Sequence, residues 1–233
     1  MNIAIILSGG TGTRMGLSTP KQYVEVNDKP IIQYCLDTIL NHKTVDYAVI
    51  AVADDWVDFV RECVERSASG KPVYYSKPGE TRQGSIINAL KVAKEKGAAH
   101  EDIVLIHDAA RPLLTSQLIT ECFQACKNAD AVLPVIPVKD TVYMSKDGQI
   151  IDSLLERKTL WNGQAPEAFR FGSYYEANMK LTSDDLLRIT GSTEVSYRAG
   201  LKCVLIPGDT NNFKITTQED LSNFESMVKN ESI

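Results

Sequence analysis

The residues best suited to chemistry stand at the start of the chain. Ser8-Gly9-Gly10-Thr11-Gly12-Thr13-Arg14-Met15-Gly16 is followed closely by Pro20-Lys21-Gln22. Glycines let a backbone turn through positive φ and bring amide N–H groups against a ligand. Arg14 and Lys21 add two cations beside that loop. Amide donors and fixed positive charge together suit a polyphosphate. The plain alternative is a surface turn with solvated basic side chains. The spacing matches neither Gly-x-x-x-x-Gly-Lys-[Ser/Thr] nor Gly-x-Gly-x-x-Gly, so the loop is neither a P-loop nor a dinucleotide fingerprint. A second cluster is His107-Asp108-Ala109-Ala110-Arg111-Pro112. Asp108 is the candidate ligand for a divalent cation such as Mg2+, because a hard cation bridging phosphates takes one or two carboxylates and water. It could instead cap a helix or pair with Arg111. His107 beside it is read as a packing or hydrogen-bonding residue.

These residues need elements to hold them. Ile3-Ala4-Ile5-Ile6-Leu7 is a continuous apolar run that reads as a strand buried on both faces. Further strands are predicted at 47–53, 72–76, 103–106, 131–135 and 201–206. Helices are predicted at 30–40, 56–67, 81–96, 116–127 (with Ser116 as its cap), 174–181 and 218–228 (capped by Thr217). Alternation at this spacing predicts an α/β fold with a doubly wound, mostly parallel sheet. Ligands in such sheets lie beyond the carboxyl ends of the strands. Both the Gly9-Gly10 loop and Asp108 fall there. Between 138 and 171 the pattern changes. Residues 138–143 alternate, Lys146-Asp147-Gly148 signals a hairpin turn, and 150–155 returns. An inserted hairpin with no helix to cover it predicts a projecting arm, 138–171, that pairs with a second copy, the plain alternative being a hairpin that folds back on its own chain.

At 233 residues the chain is expected to form a single domain. Its net charge of −5 supplies no general basic field, so nucleic acid and anionic membranes are not expected partners, and positive charge for an anionic substrate must be local. Five scattered cysteines without a zinc spacing predict reduced thiols in the cytoplasm.

Five motifs in order now carry a resemblance. They are Leu7-Ser8-Gly9-Gly10-Thr11-Gly12-Thr13-Arg14-Met15, Pro20-Lys21-Gln22, His107-Asp108-Ala109-Ala110-Arg111-Pro112, Lys139-Asp140-Thr141 and Phe213-Lys214-Ile215-Thr216. Together they resemble the polyol-phosphate cytidylyltransferases, a family that includes the methylerythritol-phosphate and ribitol-phosphate enzymes. The resemblance implies a nucleotide-diphospho-sugar transferase-like fold, and CTP and a polyol phosphate as substrates, with Mg2+ or another divalent cation. It implies Arg14, Lys21 and Lys214 as catalytic cations. It implies nucleotide contacts from Leu7 through Thr13, from Gly79, Glu80, Arg82 and Ser85, and from Asp108 and Ala109. Acceptor contacts are implied at Asp108, Arg111, Thr141, Arg157, Thr190 and Lys214. It also implies a homodimer whose arm carries Arg157 into the partner's site.

Within the family, methylerythritol-type enzymes carry Thr-Asp-Glu where this chain has Thr190-Gly191-Ser192-Thr193-Glu194, an Asp at the place of Gly84, and Thr-Pro at Ala165-Pro166. The opening loop is closer to the ribitol branch, whereas Ala109-Ala110 is closer to the other. A small polyol phosphate such as ribitol 5-phosphate is therefore the favoured acceptor, with methylerythritol phosphate as the alternative. A nucleotidyltransferase acting on a sugar 1-phosphate with another NTP is the further alternative.

Overall fold

The computed structural model describes residues 1–10 and 19–230. Its centre is one mostly parallel sheet, built from β1 (Asn2–Leu7), β4 (Tyr47–Ala51), β5 (Val73–Ser76), β6 (Ile103–Asp108), β7 (Ala131–Pro137), β10 (Trp161–Gly163), β11 (Glu167–Arg170) and β12 (Cys203–Pro207). Two short ribbons, β2 (Glu25–Val26) with β3 (Lys29–Pro30) and β8 (Tyr143–Met144) with β9 (Ser153–Leu154), lie outside it.

The first strand shows why the sheet is covered on both sides. Strand side chains alternate faces, and this run is apolar at every position. Ala4 and Ile6 pack on one face with Ile32, Leu36 and Ile39 of α1 (Ile31–Leu40), Val60 of α2 (Val57–Arg66) and Ile119 and Phe123 of α4 (Ser116–Cys126). Ile3 and Ile5 pack on the other with Ile86 and Leu90 of α3 (Arg82–Glu95), Phe171 and Tyr174 of α5 (Phe171–Met179) and Val195 of α7 (Ser192–Arg198). The doubly wound expectation holds. A third cluster seats α8 (Gln218–Asn230) through Leu221, Phe224 and Val228 on Val26, Ile31 and Ile215. Between α5 and α7 lies the short α6 (Ser183–Arg188), capped at Thr182.

Three local expectations change. The cap of α4 is Thr115, whose hydroxyl accepts the Leu118 N–H at 3.2 Å, so Ser116 is the first helical residue. The projecting part of 138–171 is shorter than expected, because β10 and β11 belong to the main sheet. β11 runs antiparallel between β6 and β7, with Glu167 opposite Ile106 and Ala168 opposite Val132. β10 also pairs β7 antiparallel, with Gly163 opposite Val135. Within the arm itself the pairing is only two residues long, Tyr143 opposite Leu154 and Met144 opposite Ser153.

Candidate active site

β1 and β6 end in register, Leu7 beside Asp108, and the Ala109 N–H donates to the Leu7 carbonyl at 3.0 Å. The predicted carboxyl-end site is therefore one place, reached from both strands. At Ser8 the chain leaves β1 buried, with its hydroxyl 2.8 Å from the Tyr23 hydroxyl. Gln22 is buried as well, and its Nε2 donates at 2.8 Å to both the Ser8 and Gly10 carbonyls. Two carbonyls turned toward one amide nitrogen fix the path of the Gly9-Gly10 backbone. Tyr23 is itself held by stacking on Trp56 at 4.5 Å. Lys21 opens the one-turn helix that carries Gln22 and Tyr23. Thr11, Gly12, Thr13 and Arg14 lie outside the described residues.

The Gly79–Ser85 segment abuts this loop. A Cβ on Gly9 would lie 2.4 Å from Pro78 Cβ, and a Cβ on Gly79 would lie 2.5 Å from the Gly84 carbonyl carbon, so both close approaches need glycine. Ser85 is turned inward: its hydroxyl accepts the Gly79 N–H at 3.0 Å and donates to the Thr81 carbonyl at 3.1 Å. Thr81 caps α3 by accepting the Gly84 N–H. Glu80 is exposed.

Arg82, also expected beside the nucleotide, sends its guanidinium to a cavity of about 320 Å³ lined by Asp108, Arg111, Glu167, Thr190, Gly191, Thr193 and Lys214 among others. Its Nε lies 3.1 Å from Asp108 Oδ1, its Nη2 3.6 Å from Glu167 Oε1, and its Nη1 donates to the Ser192 hydroxyl. Asp108 Oδ2 meets Lys214 Nζ at 3.1 Å and Arg111 Nε at 3.5 Å. Burial alone would raise the Asp108 carboxyl, but Arg82, Lys214 and Arg111 hold it well below the usual carboxylate range. Burial pulls Arg82 down, but Asp108 and Glu167 outweigh it and raise it. The cavity thus gathers three cations, Arg82, Arg111 and Lys214, in a chain of net negative charge, and three carboxylates, Asp108, Glu167 and Glu194, line it with them.

Lys214 reaches this point because its segment is stapled to the β6 end. The Ile215 N–H donates to the Ala110 carbonyl at 2.9 Å, Arg111 Nη1 donates to the Asn212 carbonyl at 2.7 Å, and Asn212 Nδ2 donates to the Ala165 carbonyl at 2.7 Å. His107 is fully buried, with Nε2 3.0 Å from the Arg111 carbonyl; burial pushes it down to about 4, so it is neutral at pH 7.

The structure brings Asp108, Arg111, Lys214 and Thr190 together at the cavity. Thr141 and Arg157 lie on the arm, both exposed, and Arg157 Nη1 donates to the Lys139 carbonyl at 2.6 Å. Sequence reasoning passed over Glu167. Its Oε2 accepts both the Thr193 N–H at 2.9 Å and the Thr193 hydroxyl at 2.6 Å. The wall that reads as Gly and hydroxyls in sequence therefore has a carboxylate behind it, delivered from β11.

For a divalent cation, Asp108 is a hard, ionised donor at the right strand end. Its oxygens already face three cations, and among the described residues no group of three His, Cys, Asp or Glu side chains could enclose a metal. The donor set fits a cation held by one carboxylate and otherwise by substrate phosphates and water.

A polyphosphate at one loop and a second anion in the adjoining cavity are what nucleotidyl transfer requires, and this is the class of enzyme that the fold and site define. Residues 2–230 match the family model described as IspD: 2-C-methyl-D-erythritol 4-phosphate cytidylyltransferase. The chain belongs to that family and is a CTP-dependent cytidylyltransferase. It is 32% identical over 236 residues to a ribitol-5-phosphate cytidylyltransferase of Streptococcus pneumoniae, covering 98% of this chain and 99% of the relative. It is 34% identical over 227 residues to a 2-C-methyl-D-erythritol 4-phosphate cytidylyltransferase of Geobacter metallireducens, covering 97% of each. Among solved structures, a 4-diphosphocytidyl-2C-methyl-D-erythritol synthase superposes with a TM-score of 0.80 at 29% identity over 97% of both chains. The 2-C-methyl-D-erythritol 4-phosphate cytidylyltransferase of Francisella tularensis superposes with a TM-score of 0.77 at 26% identity, over 96% of this chain and 99% of that one.

Proposed function

We propose that the acceptor for the CMP group of CTP is ribitol 5-phosphate or a similar small polyol phosphate, such as glycerol phosphate, destined for a surface polymer. The observation that carries this reading is the cavity at Asp108, where Arg111 and Lys214 meet a wall of Thr190, Gly191 and Thr193. Cations suit the acceptor's phosphate, and hydroxyl and backbone groups suit its carbinols. The second acceptor is 2-C-methyl-D-erythritol 4-phosphate, favoured by the Glu167 carboxylate on that wall, which supplies acidity that residues 191–193 lack.

In the reaction an oxygen of the acceptor phosphate bonds to the α-phosphorus of CTP. The bond from that phosphorus to the α–β bridging oxygen breaks, and pyrophosphate leaves with the electron pair. The attacking phosphate is already ionised, so no general base is needed. The protein's part is to bring two anions together and offset growing charge. Arg14 and Lys21 hold the triphosphate; Lys214 and Arg111 hold the acceptor phosphate. A divalent cation, with Asp108 as its single protein ligand, would add charge neutralisation. The five free thiols, four of them buried, suit a reducing cytoplasm.

Homodimerisation through the arm is part of the same reading. Tyr143, Met144, Ile150, Ile151 and Leu154 are exposed there on a hairpin too short to be stable alone. Arg157, at the base of that arm, would complete the partner's acceptor site. Sedimentation is the check: a fully active monomer at micromolar concentration would overturn the shared site.

Two assays test the chemistry. Lys21→Ala should lower turnover with CTP on the order of 10²–10³-fold, the loss expected for one electrostatic donor; near-normal turnover would remove Lys21 from the mechanism. Comparing kcat/KM for ribitol 5-phosphate, glycerol phosphate and methylerythritol phosphate decides the acceptor. A tenfold or greater preference for methylerythritol phosphate would reverse the ranking.

A further inference from the structure

Glu167 is nine-tenths buried and joins two parts of the site that the chain itself keeps far apart. One oxygen faces Arg82 and the other takes both donors of Thr193. Arg82 is the first residue of α3, directly after the Gly79–Thr81 loop on the nucleotide side. Thr193 lies in the first turn of α7, on the acceptor wall. The three nitrogens of the Arg82 guanidinium go to Asp108 on β6, Ser192 on α7 and Glu167 on β11. With its donors committed this way, Arg82 acts as a strut, and Arg111 and Lys214 are left to meet the acceptor's phosphate.

We propose that Glu167 is a positioning residue that sets acceptor specificity, by holding the 190–194 wall at a fixed place relative to Asp108 through Arg82 and Thr193. The inference rests on the acceptor site proposed above. A carboxylate is needed at this position, not merely a polar group of the same size. Both Arg82 and Thr193 approach it as donors, and an amide could accept from one while presenting its own N–H to the other. Hydrogen bonds to a charged group are the stronger kind, and a wall that shifts leaves acceptor hydroxyls unpaired.

The test is steady-state kinetics on Glu167→Gln, Thr193→Val and the double variant, varying CTP and the polyol phosphate separately. The expected result is a KM for the polyol phosphate raised roughly tenfold to a hundredfold, the range for a lost charged hydrogen bond, while the KM for CTP stays within about twofold. Because the two side chains act as one unit, the double variant should lose no more than either single one. The preference of the wild-type enzyme between ribitol 5-phosphate and methylerythritol phosphate should also narrow. An unchanged acceptor KM in a folded Glu167→Gln enzyme overturns the inference, as does a KM for CTP that rises in step with it. If Glu167→Gln fails to fold, Thr193→Val, which deletes only the partner hydroxyl, decides by the same criteria. A wild-type protein inactive with CTP and every polyol phosphate overturns the functional reading and this inference together, whereas a normal acceptor KM in the variants of an active enzyme overturns this inference alone.

Discussion

The cavity at the end of β6 and the hairpin of the arm are built on opposite terms. In the cavity, Arg82, Asp108, Arg111, Glu167 and Lys214 converge from distant segments, and the charged side chains are tied to one another by ion pairs. In the arm, bulky apolar side chains stand in solvent behind a two-residue strand pairing. A buried charge is costly unless it is paired, so a site that must hold cations in place has to complete its network within the fold. An exposed apolar surface gains only when something else covers it. The first region is thus organised before any substrate arrives, and the second is suited to association.

The largest effect should come from opening the cavity network. Asp108→Ala leaves Arg82, Arg111 and Lys214 facing one another without their shared carboxylate, which should cost about 3–5 kcal/mol of stability along with activity. Urea denaturation at pH 7 measures it. A loss below about 1 kcal/mol would mean that the cavity is as loosely held as the arm.

His107 sharpens the same contrast through pH. Its folded value, about 4, lies below the ordinary 6.5 because burial disfavours the charged ring. Such a group adds stability that is fully present above about pH 6.5, where it is neutral in both states. That contribution is lost as pH falls through about 4, up to about 3 kcal/mol in total. Denaturation between pH 7 and pH 4 should show this slope, and His107→Gln should flatten it. An identical pH profile in the variant would assign the slope elsewhere.

Gln22→Ala asks whether the nucleotide loop shares the cavity's rigidity. It removes the Nε2 donor from the Ser8 and Gly10 carbonyls, leaving the Ser8 carbonyl to the Tyr23 hydroxyl, and should cost about 1–3 kcal/mol. The KM for CTP should rise with it; if neither changes, the loop is held by other contacts. The smallest effect on the folded protomer is expected in the arm. Ile151→Ser with Leu154→Ser should change protomer stability by no more than about 0.5 kcal/mol, since neither side chain packs in the core. Sedimentation of the same variant should show a shift to monomer. A strongly destabilised protomer would contradict the reading of the arm as an associating surface.

By itself the sequence determined the parts whose signal is local. The all-apolar Ile3–Leu7 run announced a strand covered on both faces, and it contributes to two cores. Glycines and cations after that strand, and Asp108 after the apolar run 103–106, marked one edge of the sheet, and β1 and β6 do end in register there. Lys214 was legible from its motif, though its 3.1 Å approach to Asp108 was not. The tertiary structure alone decided the far wall of the site. β11 enters antiparallel between two parallel neighbours, and no periodicity near residue 167 encodes which strands it will join. That insertion carries Glu167 to Arg82 and Thr193, and it removes 161–170 from the arm that the alternating pattern had suggested. Arg82 shows the same limit at the scale of one side chain. Its place at the start of α3 follows from local capping, but its direction was set by two carboxylates on separate strands, and charge pairing across a sheet depends on distance in space rather than on spacing along the chain.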